Sequence, residues 1–133
     1  MVEETNLSVQ NLIYPMFVED GKAIKTEIKS LPNNFRFSID QLLPEMESCV
    51  NLGIDKFVLF PAIAEGLKNT IASHSYSTDN FYLDAIHKVK NEFPNISLMS
   101  DVAMDPYSSD GHDGLVQNGV ILNDQTLPIL GKM

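Results

Sequence analysis

Residues 54–60 read Ile54-Asp55-Lys56-Phe57-Val58-Leu59-Phe60, and this short run decides the fold class. It is apolar and rich in β-branched and aromatic residues, it follows Gly53, and Pro61 closes it, so it reads as a strand. A nearly continuous apolar run fits a strand covered on both faces, as in a parallel sheet. Upstream, residues 11–18 (Asn-Leu-Ile-Tyr-Pro-Met-Phe-Val) have the same character, although Pro15 favours an edge or bulge position. Downstream, Asn95-Ile96-Ser97-Leu98-Met99-Ser100 is a third short strand that ends at Asp101. Helical spacing fills the gaps. Ser38 is a good N-cap, Asp40 lies in the first turn, and Ile39, Leu42, Leu43, Met46 and Val50 form a stripe that Gly53 terminates. Residues 78–93 carry Thr78 and Asp79 as caps and the helical series Tyr82, Ile86, Val89, Phe93. Residues 19–37, with Gly21 and Pro32, read as a long polar loop, as do residues 61–77 and the Gly/Asp/Ser-rich stretch 102–119. A last helix starts around Asp124–Leu130.

The order strand, helix, strand, helix, strand implies parallel strands joined by right-handed crossovers. Residues 1–133 are read as a single α/β domain, with about ten residues ahead of the first strand. Two architectures fit: a flavodoxin-like open sheet, or the first part of a (β/α)8 barrel. In either one the polar loops that follow strands lie at the strands' C-terminal ends, where such folds build their sites.

Composition narrows the partners. The chain has 133 residues, 9 Lys+Arg against 18 Asp+Glu, and a net charge of −9. Such acidity repels phosphate backbones and anionic lipid surfaces, so neither nucleic acid nor a membrane is expected as a partner. No apolar run is long enough to span a bilayer. Met1-Val2-Glu3-Glu4-Thr5 lacks the basic and apolar regions of a secretory signal. A single cysteine, Cys49, excludes an internal disulfide and any multi-cysteine zinc site, and its place on a helical stripe reads as core packing. His74 and His87 have no partner at ligand spacing and read as surface residues.

Chemistry concentrates in Asp101-Val-Ala-Met-Asp105-Pro-Tyr107-Ser108-Ser109-Asp110-Gly111-His112-Asp113-Gly114. Four carboxylates and a histidine fall within 13 residues, directly after a strand. Carboxylates this close repel one another unless protons or a cation offset the charge, and oxygen-rich clusters suit hard ions such as Mg²⁺. A solvated loop held by Asx-turns is the plainer alternative. An EF-hand fails on register: with Gly111 as the loop glycine, Pro106 takes the first position and Gln117 the last, where an acidic ligand is needed. The His112-Asp113 pair has a parallel in helical metal phosphohydrolases, but no helical His/Asp set accompanies it.

The chain resembles the porphobilinogen synthase (δ-aminolevulinic acid dehydratase) family along almost its whole length. The likeness rests on Leu12-Ile13-Tyr14-Pro15 with Phe17-Val18, Arg36-Phe37-Ser38-Ile39-Asp40, Leu52-Gly53-Ile54 and Leu59-Phe60-Pro61. It continues in Asp101-Val102-Ala103 with Tyr107, Gly111-His112-Asp113-Gly114 and Asn123-Asp124-Gln125-Thr126-Leu127. The resemblance implies a TIM barrel, here about its first three βα units, of a family that forms homo-octamers. It also implies the condensation of two 5-aminolevulinate molecules, with loss of water, to porphobilinogen in tetrapyrrole biosynthesis. Zinc-dependent members hold the metal with three cysteines at positions matching Ala103, Asp105 and Asp113, so a thiolate zinc site is excluded here. The aspartate-rich loop is similar to that of magnesium-responsive members. Asp105 and Asp113 are then the expected metal or second-substrate carboxylates, and Asp101 matches an active-site aspartate. Tyr107, Ser109 and His112 are the expected substrate-loop residues. The implied compartment is the cytoplasm, or an organelle stroma with the targeting segment absent.

The family's two Schiff-base lysines sit on later barrel strands. None of Lys22, Lys25, Lys29, Lys56, Lys68, Lys88, Lys90 and Lys132 matches them. A whole barrel takes about 250 residues. The expectation is therefore an N-terminal portion, inactive alone, with a shortened arm at residues 1–10 that puts octamer formation in doubt. The alternative is a truncated non-catalytic homologue that binds a divalent cation or docks onto a full-length subunit.

Overall fold

The structure is a computed structural model and describes residues 4–133. Five strands, β1 (Tyr14–Glu19), β2 (Lys25–Glu27), β3 (Phe35–Phe37), β4 (Lys56–Ala62) and β5 (Ser97–Ser100), form one sheet in the order β2-β3-β1-β4-β5. β1 runs parallel to β3 and β4, β4 runs parallel to β5, and β2 is antiparallel to β3. Helices α1 (Ile39–Asn51) and α2 (Phe81–Glu92) supply the crossovers.

Strand alternation decides what each face buries. Met16 and Val18 of β1 and Phe57 and Leu59 of β4 are fully enclosed. They pack with Leu42, Met46 and Cys49 of α1 and Tyr82, Ala85 and Val89 of α2. The intervening residues face the other way: Phe17 stacks on Phe60 with ring centroids 5.6 Å apart, both only half-buried. A second, smaller core of Ile63, Ala72, Met104, Tyr107 and Ile129 lies under the loops.

The ends of α1 follow from local chemistry. Gly53, at φ +92°, donates to the Val50 carbonyl at 2.9 Å while Ile54 donates to Cys49 at 3.0 Å, the paired bonds of a glycine-terminated helix. Ser38 is the N-cap residue, but its hydroxyl faces back toward β2. It accepts from the Ile24 amide and donates to Asp40 at 2.6 Å, and Asp40 also accepts from the Ala23 amide. The Ser38 hydroxyl, the Ala23 amide and the Gln41 side chain all bond the Asp40 carboxyl and hold it below its ordinary range.

Several boundaries differ from expectation. The stretch 19–37 is not one loop, because Phe35 and Phe37 flank Arg36 in a three-residue alternation that pairs β3 with β1 and β2 with β3. β1 starts at Tyr14, after a single 3-10 turn at Val9–Asn11, so residues 11–13 are outside it. Of the expected arm, residues 1–3 lie outside the described residues. Pro61 stands inside β4 opposite Val18 instead of ending it. Both strand prolines are tolerated where one neighbour is missing: β3 pairs β1 only from Phe17 onward, past Pro15, and β5 pairs β4 only up to Leu59, short of Pro61. Residues 61–77 include 3-10 turns at Glu65–Leu67 and Ser73–Tyr76. The cap of α2 is Asn80, which accepts from the Tyr82 amide at 3.0 Å, and not Thr78 or Asp79. Residues 102–119 contain most of a hairpin, β6 (Val116–Gln117) and β7 (Val120–Ile121), turned by Asn118 and Gly119 at positive φ. The last helix is α3 (Asn123–Leu130). No helix of the described residues is long and apolar enough to cross a membrane.

Candidate active site

Asp101 is the first residue beyond β5, at the C-terminal end of the parallel strands, where α/β folds assemble their sites. The next turn is anchored from below. Met104 is fully buried, and its carbonyl accepts from the amides of Tyr107 and Ser108, both at 2.9 Å. Asn69 ties this turn to the preceding loop: its amide donates to the Tyr107 carbonyl at 3.1 Å, and its carbonyl accepts from the Ser109 amide at 3.2 Å. The far end is closed by Gly114. A methyl group there would stand 2.6 Å from Ile121 Cγ2 and 3.0 Å from Thr126 Oγ1, so no side chain fits without displacement. Leu115 then donates to Thr126 Oγ1 at 3.1 Å.

The two anchors bring three carboxylates together. The Asp105 amide donates to Asp113 Oδ1 at 3.3 Å. Partial burial raises the Asp105 carboxyl above its ordinary range, a hydrogen bond with Asp113 adds to this, and the charges of Asp113 and Asp101 push the same way. Asp101 is raised as well, first by burial and then by the Asp113 charge. Asp101 and Asp105 therefore hold their protons more tightly than an aspartate does in water. Among the described residues, no three His, Cys, Asp or Glu side chains are grouped closely enough to enclose a metal ion.

The remaining expected residues divide. Ser109 and His112 are exposed on the loop. Tyr107 is not a displayed loop residue: it is 3% exposed, and its hydroxyl accepts from Asn80 Nδ2 at 3.1 Å. Burial is also the main reason its phenol is raised. His74 is not a surface residue either. Its ring stands 6.2 Å from that of Tyr107, its Nδ1 is 4.0 Å from Asp79, and its Nε2 is buried with no hydrogen-bond partner among the described residues. His87 is exposed and Cys49 is buried in the first core, as expected.

Residues that composition and spacing did not single out also belong to the site. Tyr82 donates its hydroxyl to the Leu59 carbonyl at 2.6 Å and accepts from the Asp101 amide at 3.1 Å. A cavity of about 560 Å³ opens at the C-terminal ends of β1 and β4, lined in part by Phe17, Arg36, Pro61, Ile63 and Lys68. None of the three carboxylates lines it. Asp101 borders a separate space of about 30 Å³ together with Tyr82 and Tyr107. Five of the eight lysines have polar partners: Lys25 with Glu45, Lys56 with Asp55, Lys68 with Glu65, Lys88 with Asp84, and Lys90 with the Pro94 and Ile96 carbonyls.

Comparison with known proteins identifies the family of the chain. The family described as Delta-aminolevulinic acid dehydratase matches residues 1–133. A delta-aminolevulinic acid dehydratase of Chlamydia pneumoniae is 44% identical over the whole chain, which covers 40% of that protein. A chloroplastic one of Pisum sativum is 39% identical over 98% of the chain and 33% of its own length. The crystal structure of the Toxoplasma gondii ME49 enzyme, in complex with its reaction product porphobilinogen, superposes on 98% of the chain and 38% of that protein with a TM-score of 0.94 at 41% identity. The chain thus spans about two fifths or less of the length of these relatives. It belongs to the delta-aminolevulinic acid dehydratase family, and its sheet and helices form the first part of that family's (β/α)8 barrel.

Proposed function

We propose that this chain contributes the opening βα units and one acidic loop to a porphobilinogen synthase, which joins two 5-aminolevulinate molecules with loss of water. The observation that carries the reading is the superposition, at a TM-score of 0.94, on a relative holding porphobilinogen. Asp101 is proposed as the group that takes and returns a proton, because its raised carboxyl lies nearer neutral pH than an ordinary aspartate. Ser109 and His112, exposed on the same loop, are proposed to contact substrate. Tyr107, being buried, serves by supporting the loop.

Asp105 and Asp113 are proposed to hold Mg²⁺. Two neighbouring carboxylates without a third enclosing ligand fit an ion that keeps several of its waters and is bound through one or two acids. Bound there, the ion would offset the repulsion among the carboxylates. Cys49 packs in the first core, away from this loop, and supplies no thiolate to it. The Schiff-base lysines are proposed to come from other strands of the barrel, and assembly into homo-oligomers is proposed with them. The unpaired outer edge of β5 supports a second reading, a non-catalytic homologue that docks onto a full-length subunit.

The test is a graft of residues 1–133 in place of the matching segment of the Chlamydia pneumoniae dehydratase. Porphobilinogen formation should persist in the graft, and Asp101→Asn should lower kcat by about a hundredfold or more. A folded graft with no turnover would overturn the catalytic reading and favour the docking one.

A further inference from the structure

We propose that Tyr82 is the positioning residue of the acidic site, its hydroxyl standing in for the sheet bond that would otherwise join Asp101 to β4. The proposal rests on the reading of Asp101 as the site's working aspartate.

The register of the sheet makes the argument. Ser97 donates to the Asp55 carbonyl at 2.8 Å, and Lys56 is paired with Ser97 and Leu59 with Ser100. In a parallel ladder of that register, the next two bonds run from the Asp101 amide to the Leu59 carbonyl, and from the amide of residue 61 to the Asp101 carbonyl. Residue 61 is proline and has no amide proton, so the second bond cannot form. In place of the first, the Tyr82 hydroxyl donates to Leu59 at 2.6 Å and accepts from Asp101 at 3.1 Å. A hydroxyl is suited to this place because it can donate to a carbonyl and accept from an amide at once. Its width separates β5 from β4 at the residue where the site begins.

The hydroxyl is itself held from two sides. Tyr82 is 2% exposed, and its own amide donates to the Asn80 side chain that caps α2. The same Asn80 side chain donates to the Tyr107 hydroxyl and to the Ser75 carbonyl. Helix α2 is thereby keyed to both the strand end and the loop below the carboxylates. Burial pushes the Tyr82 phenol up to about 12, so it keeps its proton and continues to donate at neutral pH.

Tyr82→Phe tests this by removing one oxygen and keeping the ring. In the 133-residue chain, hydrogen exchange of the Asp101 amide should quicken by about tenfold, the factor that loss of one hydrogen bond gives, while the Val89 amide in the core stays within about twofold. Unchanged exchange at Asp101, or equal quickening at both amides, would overturn the proposal. In the Chlamydia pneumoniae graft, Tyr82→Phe should lower kcat by roughly three- to tenfold with KM nearly unchanged, as displacement of a reacting group does. Equal kcat for the Tyr and Phe grafts would overturn the role of Tyr82. An inactive graft that still carries Tyr82 would overturn the reading of Asp101, and it would do so without altering the exchange result.

Discussion

The molecule has two cores built on different terms. The first, between the sheet and α1 and α2, joins regular elements: Met16, Val18, Leu42, Met46, Phe57, Leu59 and Val89 are each at most 2% exposed. The second, under the loops, is made from Ile63, Ala72, Met104, Tyr107 and Ile129, drawn from four separate stretches of chain. The first holds a scaffold together, and the second holds three repelling carboxylates in place. The difference shows where stability and function are kept apart. Loss in the first core should unfold the chain, whereas loss in the second should release the loop.

Phe57→Ala should have the largest effect, about 3–5 kcal/mol of global stability read as a lowered urea midpoint, since Phe57 is fully enclosed. Met104→Ala sharpens the contrast. Its loss of about 2–3 kcal/mol should appear chiefly as faster hydrogen exchange across residues 102–115, and a global loss equal to that of Phe57→Ala would break the distinction. Asn80→Ala strikes the joint between the two cores. It removes the cap on Tyr82 and the bonds to Ser75 and Tyr107, so about 1–3 kcal/mol should be lost by thermal melting, with exchange quickened in both regions.

Asp105→Asn should have the smallest effect, and its sign depends on pH. The Asp105 carboxyl is raised in the fold, so its contribution to stability is full at low pH and is lost as pH rises through the raised value. At pH 7 the variant should therefore be the more stable by a few tenths of a kcal/mol once solvent screening is counted, and the gap should close below the ordinary carboxylate range. Melting curves with and without Mg²⁺ extend the test: if the ion offsets the charge, the advantage of Asn should shrink when it is added.

Legibility in the sequence follows the same division. Leu42 and Met46, or Tyr82 and Val89, lie at helical spacing on one face, so α1 and α2 could be read from period alone. The run ending at Phe60 announced β4. β3 escaped because Phe35-Arg36-Phe37 is too short to establish a period, and the signal for the β6–β7 hairpin, Asn118-Gly119, is flanked by only two paired residues on each side. The second core has no single period, since separate loops and helix α3 contribute only one or two residues each to it. At the site, the carboxylates were legible by type and spacing, because like charges crowded after a strand demand an explanation. Tyr82 was not. On a helical stripe its ring reads as packing, and only the missing amide of Pro61, taken with the sheet register, gives its hydroxyl a task.

Cys49 adds one consequence. It is the only thiol in the chain, it sits on α1 within the first core, and burial pushes it further from the reactive thiolate form. The protein thus carries its own chemical clock. The rate at which a thiol reagent consumes Cys49 times how often α1 lifts from the sheet, with no engineered probe. Alterations to the acidic loop should leave that clock running at its original pace, and alterations beneath α1 should speed it.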